Sequence, residues 1–83
     1  MEEKIGTGTH YYGNVGVASV KVSRPLNTGD TLHFVGRSDD FTEKVESIQI
    51  EHKQVESAKK GDEVGVKVGQ KVHEGDEVFL VKE

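Results

Sequence analysis

The chain has 83 residues, no cysteine and a formal net charge of −4 at pH 7. This length fits one domain over residues 1–83, and the absence of cysteine excludes disulfides, thiolate metal sites and cysteine nucleophiles. The acidic balance disfavours a protein that mainly binds phosphate backbones, and the absence of a long apolar run predicts a cytoplasmic protein without a membrane partner.

Six short strands are predicted in chain order, because apolar and polar residues alternate between turn signals. They span residues 4–12, 15–22, 31–35, 42–50, 63–68 and 76–81. The alternation changes phase across residues 18–19, which predicts either burial on both faces or a β-bulge, and a second slip predicts a bulge near Ser47. Residues 51–60 form a charged loop, with room for a short strand at Val55.

A Gly-Asp pair followed by alternating apolar residues occurs three times, in residues 29–34, 61–66 and 75–80. Glycine reaches positive φ without a steric penalty, and an Asp side chain can hydrogen-bond the nearby backbone, so each pair is predicted to close a turn before a strand. Six short strands with turns at this spacing predict an all-β fold that closes into a small barrel.

Catalytic and cofactor motifs are missing from the sequence. No glycine-rich loop ends in Gly-Lys-Ser/Thr, which argues against binding of nucleoside triphosphates. The histidines are scattered, and none forms a close pair at metal-ligand spacing. They are His10, His33, His52 and His73. The sequence therefore predicts a protein that is not an enzyme, with no catalytic, cofactor-binding or metal-ligating residues and no cofactor.

Two stretches are candidate partner-binding surfaces. The charged loop could contact RNA phosphates or a ribosomal protein, or it could be a solvated loop whose charges neutralise one another. The aromatic stretch before Gly13 could stack on single-stranded bases, or its rings could fill and cover one end of the barrel. The candidate binding residues are His10, Tyr12, Glu51, His52, Lys53, Lys59 and Lys60.

Several segments resemble the second domain of translational GTPases such as elongation factor Tu. They are residues 16–22, residues 26–36, and residues 44–50 together with 58–66, the last of which contains Gly-Asp-x-Val-Gly. Residues 3–6 and 48–53 also resemble short stand-alone prokaryotic proteins called elongation-factor-like. The resemblance covers residues 15–81. It implies a closed six-stranded Greek-key barrel of the translation-factor domain 2 type.

The resemblance carries an expectation about function. The positions that hold the aminoacyl end of tRNA in elongation factor Tu fall here on Gly6, on Glu51 with His52, and on Glu63. None of these residues matches, and carboxylates would repel a phosphate, so that pocket is not expected.

The leading hypothesis is a non-catalytic binding module that acts in translation through its loops, with the ribosome, tRNA or a translation-related protein as partner. The alternative is a protein-binding accessory subunit of a larger peptidase-like or RNA-modifying enzyme. Oligomeric state, specific partner and pathway stay open.

Overall fold

The computed structural model describes residues 2–37, 39–51 and 53–81. Every regular element within these ranges is a β-strand, so the all-β prediction is confirmed. The strands are β1 (Glu2–Tyr12), β2 (Val17–Val22), β3 (Leu26–Asn27), β4 (Thr31–Val35), β5 (Asp40–Lys44), β6 (Ile48–Ile50), β7 (Lys53–Val55), β8 (Ser57–Ala58), β9 (Glu63–Lys67) and β10 (Glu77–Val81). The described part of the chain contains no helix with the length and hydropathy needed to cross a membrane.

Eight strands form one antiparallel sheet in the order β5-β4-β10-β1-β2-β9-β6-β7, and β3 pairs with β8 in a second, two-stranded sheet. The end strands β5 and β7 are not joined by a ladder within the described ranges. The closed six-stranded Greek-key barrel is therefore not confirmed. What the structure shows is a large antiparallel sheet with a short pair of strands beside it.

The predicted strand over residues 42–50 is interrupted. β5 pairs with β4, whereas β6 pairs with β9, so the chain changes neighbours across residues 45–47. Val45 lies in this break, where its N–H donates to the Asp30 carbonyl and its own carbonyl accepts from Gly29 N–H, both at 2.8 Å. The phase slip near Ser47 therefore marks a passage between two strands and not a bulge within one.

The predicted irregularity at residues 18–19 is also absent, because β2 alternates regularly. Ala18, Val20 and Val22 are buried and point to one side. The apparent phase change comes from two valines outside this set. Val15 lies in the preceding turn and is 64% exposed, and Val17 is only partly buried.

The register shifts occur in β1 instead. One lies between Lys4 and Gly6 against β10, and the other lies between Gly8 and His10 against β2. A Cβ on Gly6 would come within 2.5 Å of the Lys21 carbonyl oxygen, so glycine allows the close approach of β1 and β2 there. Bulges bend a strand and increase its twist, and here they curve β1 around the core.

The core consists of the inward side chains of the large sheet together with residues of the short pair. Phe34 and Phe41 stack inside it, with ring centroids 5.1 Å apart and planes 13° from parallel. The largest fully buried side chains are Phe34, Ile5, Leu26, Leu32, Ile48, Val20, Val22, Val45, Val64, Val66, Val72 and Val78. Val45 and Val72 lie in no strand, so the segment between β5 and β6 and the β9–β10 loop are themselves anchored in the core.

The three Gly-Asp pairs form matching turns, as predicted. The φ angles of the glycines are 93°, 92° and 93° for Gly29, Gly61 and Gly75. In each turn the Asp carboxylate accepts a hydrogen bond from the backbone N–H three residues earlier, and the Asp N–H donates back to that residue's carbonyl. The pairs are Asn27–Asp30, Lys59–Asp62 and His73–Asp76, with N–H···carboxylate distances of 2.9, 2.9 and 3.0 Å.

Candidate functional site

A cluster of two aspartates and a histidine joins two loops. Asp39 belongs to the β4–β5 turn, and His73 and Asp76 belong to the β9–β10 loop. His73 Nδ1 lies 2.6 Å from Asp39 Oδ2, and the His73 backbone N–H also donates to Asp39 Oδ2 at 3.2 Å. Asp76 is 4% exposed and is the buried charged residue among those the structure describes.

The surroundings shift the pKa values of the two carboxyl groups in opposite directions. Burial, followed by the hydrogen bond with Asp39, raises the pKa of Asp76. The hydrogen bond from Asp76, followed by that from His73, lowers the pKa of Asp39. Two carboxylates this close resist losing both protons, so the arrangement favours an ionised Asp39 beside a protonated Asp76.

The carboxylates of the cluster are poorly accessible to other molecules. The donor atoms of Asp39, His73 and Asp76 lie within 4.8 Å of one another, a spacing that one cation could bridge. However, the Asp39 side chain is only 10% exposed, and both carboxylates are already engaged in hydrogen bonds. The backbone of this loop is tied to β1 as well, through Gly8 N–H to the Asp76 carbonyl and Gly75 N–H to the Gly8 carbonyl, both at 2.8 Å. These contacts fasten the loop to the sheet.

Sequence reasoning missed this cluster. The sequence shows that His73 stands three residues before Asp76, where a Gly-Asp turn supplies its backbone donor. Nothing in the sequence signals that Asp39 approaches the same turn from a distant loop. The scattered spacing of the histidines in the sequence therefore gave no indication that His73 lies beside two carboxylates.

A second histidine, His33, connects three strands. Its Nδ1 lies 2.8 Å from Glu2 Oε1, and its Nε2 lies 2.5 Å from Asp40 Oδ1. The hydrogen bond with Asp40, and then that with Glu2, raises the pKa of His33. Since carboxylates only accept, the doubly protonated ring satisfies both contacts. Both contacts therefore favour the protonated ring, and His33 links β1, β4 and β5.

An open groove of about 630 Å³ lies beside the outer side of β1 and β2. It is lined by Lys4, Gly6, Thr7, Thr9, Lys21, Val22, Ser23, Lys60 and Gly61. The lining residues include three lysines and three residues with hydroxyl groups, and ammonium and hydroxyl groups can both donate hydrogen bonds to an anionic group. We call this the lysine groove.

The aromatic part of the predicted binding surface lies at the β1–β2 hairpin. The rings of His10 and Tyr12 contact each other, with centroids 4.4 Å apart and planes at 58°. Tyr12 is 51% exposed, and with Val15 it forms the exposed large hydrophobic surface of the described residues. We call these three residues the hairpin tip.

The charged part of the predicted surface lies elsewhere. Glu51 has a positive φ of 51° in the β6–β7 turn, Lys53 begins β7, and Lys59 and Lys60 follow β8. Of these, Lys60 lines the lysine groove. The remaining predicted residue, His52, lies outside the described residues.

The sheet register separates the two parts. Tyr12 pairs with Val17, which pairs with Lys67 at one end of β9. At the other end of that strand Glu63, which follows the turn after Lys60, pairs with Lys21. The candidate residues therefore form two surfaces, one aromatic and one charged, at opposite ends of the central strands.

Comparison with known proteins identifies sequence relatives among proteases. The chain is 44% identical over 81 residues to an uncharacterised protease of Methanocaldococcus jannaschii, covering 96% of this chain and 20% of that protein. It is 32% identical over 77 residues to a collagenase of Porphyromonas gingivalis, covering 90% of this chain and 21% of that protein. The chain thus spans about a fifth of the length of these relatives. No protein-family model matches the sequence.

The same fold occurs in solved structures. Two crystal structures of the C-terminal domain of a U32 peptidase from Geobacillus thermoleovorans superpose with TM-scores of 0.87 and 0.89. Their sequence identities to this chain are 24% and 23%, and the matches cover 92% and 96% of it. They also cover 96% and 93% of the solved domains, so the chain corresponds in extent to one such domain.

These relatives correct the resemblance drawn from the sequence. The assignment to elongation-factor-like proteins, and with it the translation-factor description of the fold, is wrong, because the matching sequences are proteases and the matching fold is a peptidase domain. Strands that start at Gly-Asp turns are a shared structural device and do not identify translation factors. Binding to the ribosome or tRNA stays a prediction that none of these relatives supports.

Proposed function

We propose that this chain is a non-catalytic accessory module of a peptidase-type enzyme, corresponding to the C-terminal domain of U32 peptidases. One observation carries the proposal. Nearly the whole chain matches about a fifth of a protease, and the same fold has been crystallised as a domain separate from the rest of its peptidase. A module of this kind binds the catalytic part of the enzyme and works together with it.

The chemistry of the described residues supports a non-catalytic role. Among the described residues, shifted pKa values belong to Asp39, Asp76 and His33. Both aspartate side chains are at least nine-tenths buried, and the ring of His33 is bonded to Glu2 and Asp40. A peptide substrate cannot contact carboxylates that are covered and bonded to a neighbouring loop. Their role in this proposal is structural.

The hairpin tip is the surface proposed to contact the catalytic chain. Exposed tyrosine is enriched among residues that dominate binding energy, and an apolar surface exposed on one tight turn is suited to a pocket on a partner. Gly16 N–H bonds the Tyr12 carbonyl at 2.9 Å, which helps to fix the turn before binding. Glu51, Lys53 and Lys59 are proposed as contacts at the other end of the module. His52 is proposed as a partner contact as well, although it lies outside the described residues.

The proposal is tested by reconstituting the enzyme from two chains. The M. jannaschii protease is prepared without the segment that matches this chain, and the two chains are mixed and measured by titration calorimetry and size-exclusion chromatography. We expect a nuclease-resistant complex and no peptide hydrolysis by this chain alone.

Tyr12→Ala is expected to weaken the complex by about tenfold or more, because a tyrosine that becomes buried in an interface typically contributes much of the binding energy. Lys44→Ala, an exposed change on β5, serves as the control and is expected to have little effect. Absence of a complex, or hydrolysis by the isolated chain, would contradict the proposal.

A further inference from the structure

We infer that the lysine groove binds an extended acidic stretch of the polypeptide substrate. The inference rests on the proposed function, because a peptidase-type enzyme supplies polypeptide as the ligand. It assigns the two ends of the module different tasks. The hairpin tip faces the catalytic chain, and the lysine groove holds substrate.

The groove is built by irregularities of the backbone. Both register shifts of β1 lie beside it, and they bend the strand where Gly6 and Thr7 form the lining. Gly61 also lines the groove, and a Cβ at this position would meet nothing within 4 Å, so the lining is open there. The turn at Gly61 is held in place by its N–H bond to the Val22 carbonyl at 2.8 Å. The groove is therefore part of the folded sheet and needs no rearrangement to form.

Charge gives the groove its preference for an anionic ligand. No carboxylate of the described residues lies within salt-bridge distance of Lys21 or Lys60, although Glu63 is the cross-strand neighbour of Lys21. The Glu63 carboxylate accepts a hydrogen bond from Thr9 Oγ1 at 2.6 Å. Lys4 contacts Glu77 at 3.5 Å, but both side chains are about half exposed, so this pair is weak.

The hydroxyl groups complete the set of donors. Thr7 and Ser23 line the same groove and can donate to carboxylate or backbone oxygens of a bound chain. Such a mixture of fixed hydroxyls and flexible ammonium groups suits a chain of variable sequence that carries several acidic side chains. It does not specify one residue at one position.

The surroundings favour polypeptide over nucleic acid. No aromatic ring belongs to the lining of the groove, so it offers no surface on which a nucleic-acid base could stack. They also favour a transient substrate over a permanent partner, because lysine is depleted from the cores of stable interfaces. A shallow, charged groove releases its ligand easily when salt screens the contact.

The inference is tested with the full chain and a fluorescently labelled peptide of alternating Glu and Ser. Fluorescence anisotropy is measured at low and high salt, with the Gln-for-Glu peptide and a single-stranded RNA of matched length as comparison ligands. We expect the acidic peptide to bind more tightly than either, with an affinity that falls as salt rises. The triple variant Lys4→Gln, Lys21→Gln, Lys60→Gln should lower the affinity by about tenfold, equivalent to about 1.4 kcal/mol.

The control is a second triple variant with the same change of charge, Lys44→Gln, Lys67→Gln, Lys71→Gln, whose lysines are all exposed and lie outside the groove. Its affinity should stay within about twofold of the original. Equal losses in both variants, equal binding of the Gln peptide, or tighter binding of the RNA would overturn the inference. Thermal unfolding of each variant verifies that the fold is retained.

These outcomes are separable from the proposed function. Peptide binding that depends on the groove lysines, without any complex with the catalytic chain, would leave the groove in place and refute the accessory role. A complex with the catalytic chain, without any binding of the acidic peptide, would support the accessory role and refute peptide binding by the lysine groove. In the reconstituted enzyme, the groove variant should raise the KM for acidic peptides and leave the KM for neutral peptides unchanged.

Discussion

The turns at Gly29-Asp30 and Gly75-Asp76 have the same local geometry but different surroundings. Both glycines have a φ of 93°, and both aspartates bond the backbone N–H three residues earlier. The Asp30 residue is partly exposed, whereas Asp76 is buried against Asp39. The comparison shows that a four-residue motif determines the turn, while burial and the contact with Asp39 of a distant loop raise the pKa of its carboxyl group at Asp76.

The largest expected effect comes from adding one methyl group beside the buried turn. A Cβ on Gly36 would overlap the Asp76 carboxyl group, approaching its Cγ to 2.6 Å. Gly36→Ala should therefore lower the free energy of unfolding by about 2–3 kcal/mol, as overpacking does. Gly13→Ala is the control, since its Cβ would meet only Tyr11 Cε2 at 3.5 Å. Equal unfolding midpoints for the two variants in urea would contradict this prediction.

The next effect separates the two aspartates. Asp76→Ala removes a part-buried hydrogen bond from the His73 backbone N–H together with the contact with Asp39, so we expect a loss of about 2 kcal/mol in unfolding free energy. Asp30→Ala removes the same local bond where water can replace it, and about 1 kcal/mol is expected. Chemical denaturation of both variants measures the difference. A larger loss for Asp30→Ala would show that burial is not what distinguishes the turns.

Alanine substitution of Gly29 or of Gly75 is expected to lower the free energy of unfolding by a smaller amount, which is the same for both positions. A Cβ on Gly29 or Gly75 would meet nothing within 4 Å, so replacement by alanine incurs only the penalty of positive φ. Each variant should lose about 1–2 kcal/mol. Thermal unfolding of the two variants side by side tests the equality. A markedly larger loss at Gly75 would mean that the strain spreads into the Asp39 contact.

The smallest effect is a change in pH dependence. Folding raises the pKa of Asp76. At pH values between the ordinary Asp pKa and the raised one, the native state therefore binds more protons than the unfolded chain. The free energy of unfolding then falls as pH rises through that window. Asp39 acts in the opposite sense, and its contribution is lost as pH falls through its lowered pKa.

Asp76→Asn cannot release a proton, so the variant should gain stability relative to the original chain as pH rises from the acid range to neutrality. Urea denaturation at several pH values measures the difference. A difference that does not change with pH would show that Asp76 carries no shifted proton.

Local features of the fold could be predicted from sequence, because they depend on neighbouring residues. The three Gly-Asp turns and most strands follow from glycine conformation and alternation. The bulges of β1 could not be predicted, since they depend on the register in which β1 pairs with β10 and β2 around Gly6 and Gly8. The Asp39–Asp76 contact and the lysine groove escape prediction for the same reason, because they join residues from separate segments.

The pairing of β1 with β10 has a kinetic consequence. Glu2 lies opposite Val81, so the central ladder of the sheet joins the two most distant strands of the chain. Such a contact requires closure of a very long loop before it can form, and proteins rich in distant contacts fold slowly. The sheet should therefore stay incomplete during folding until β10 is in place, and removal of β10 should leave β1 and β4 without their shared neighbour.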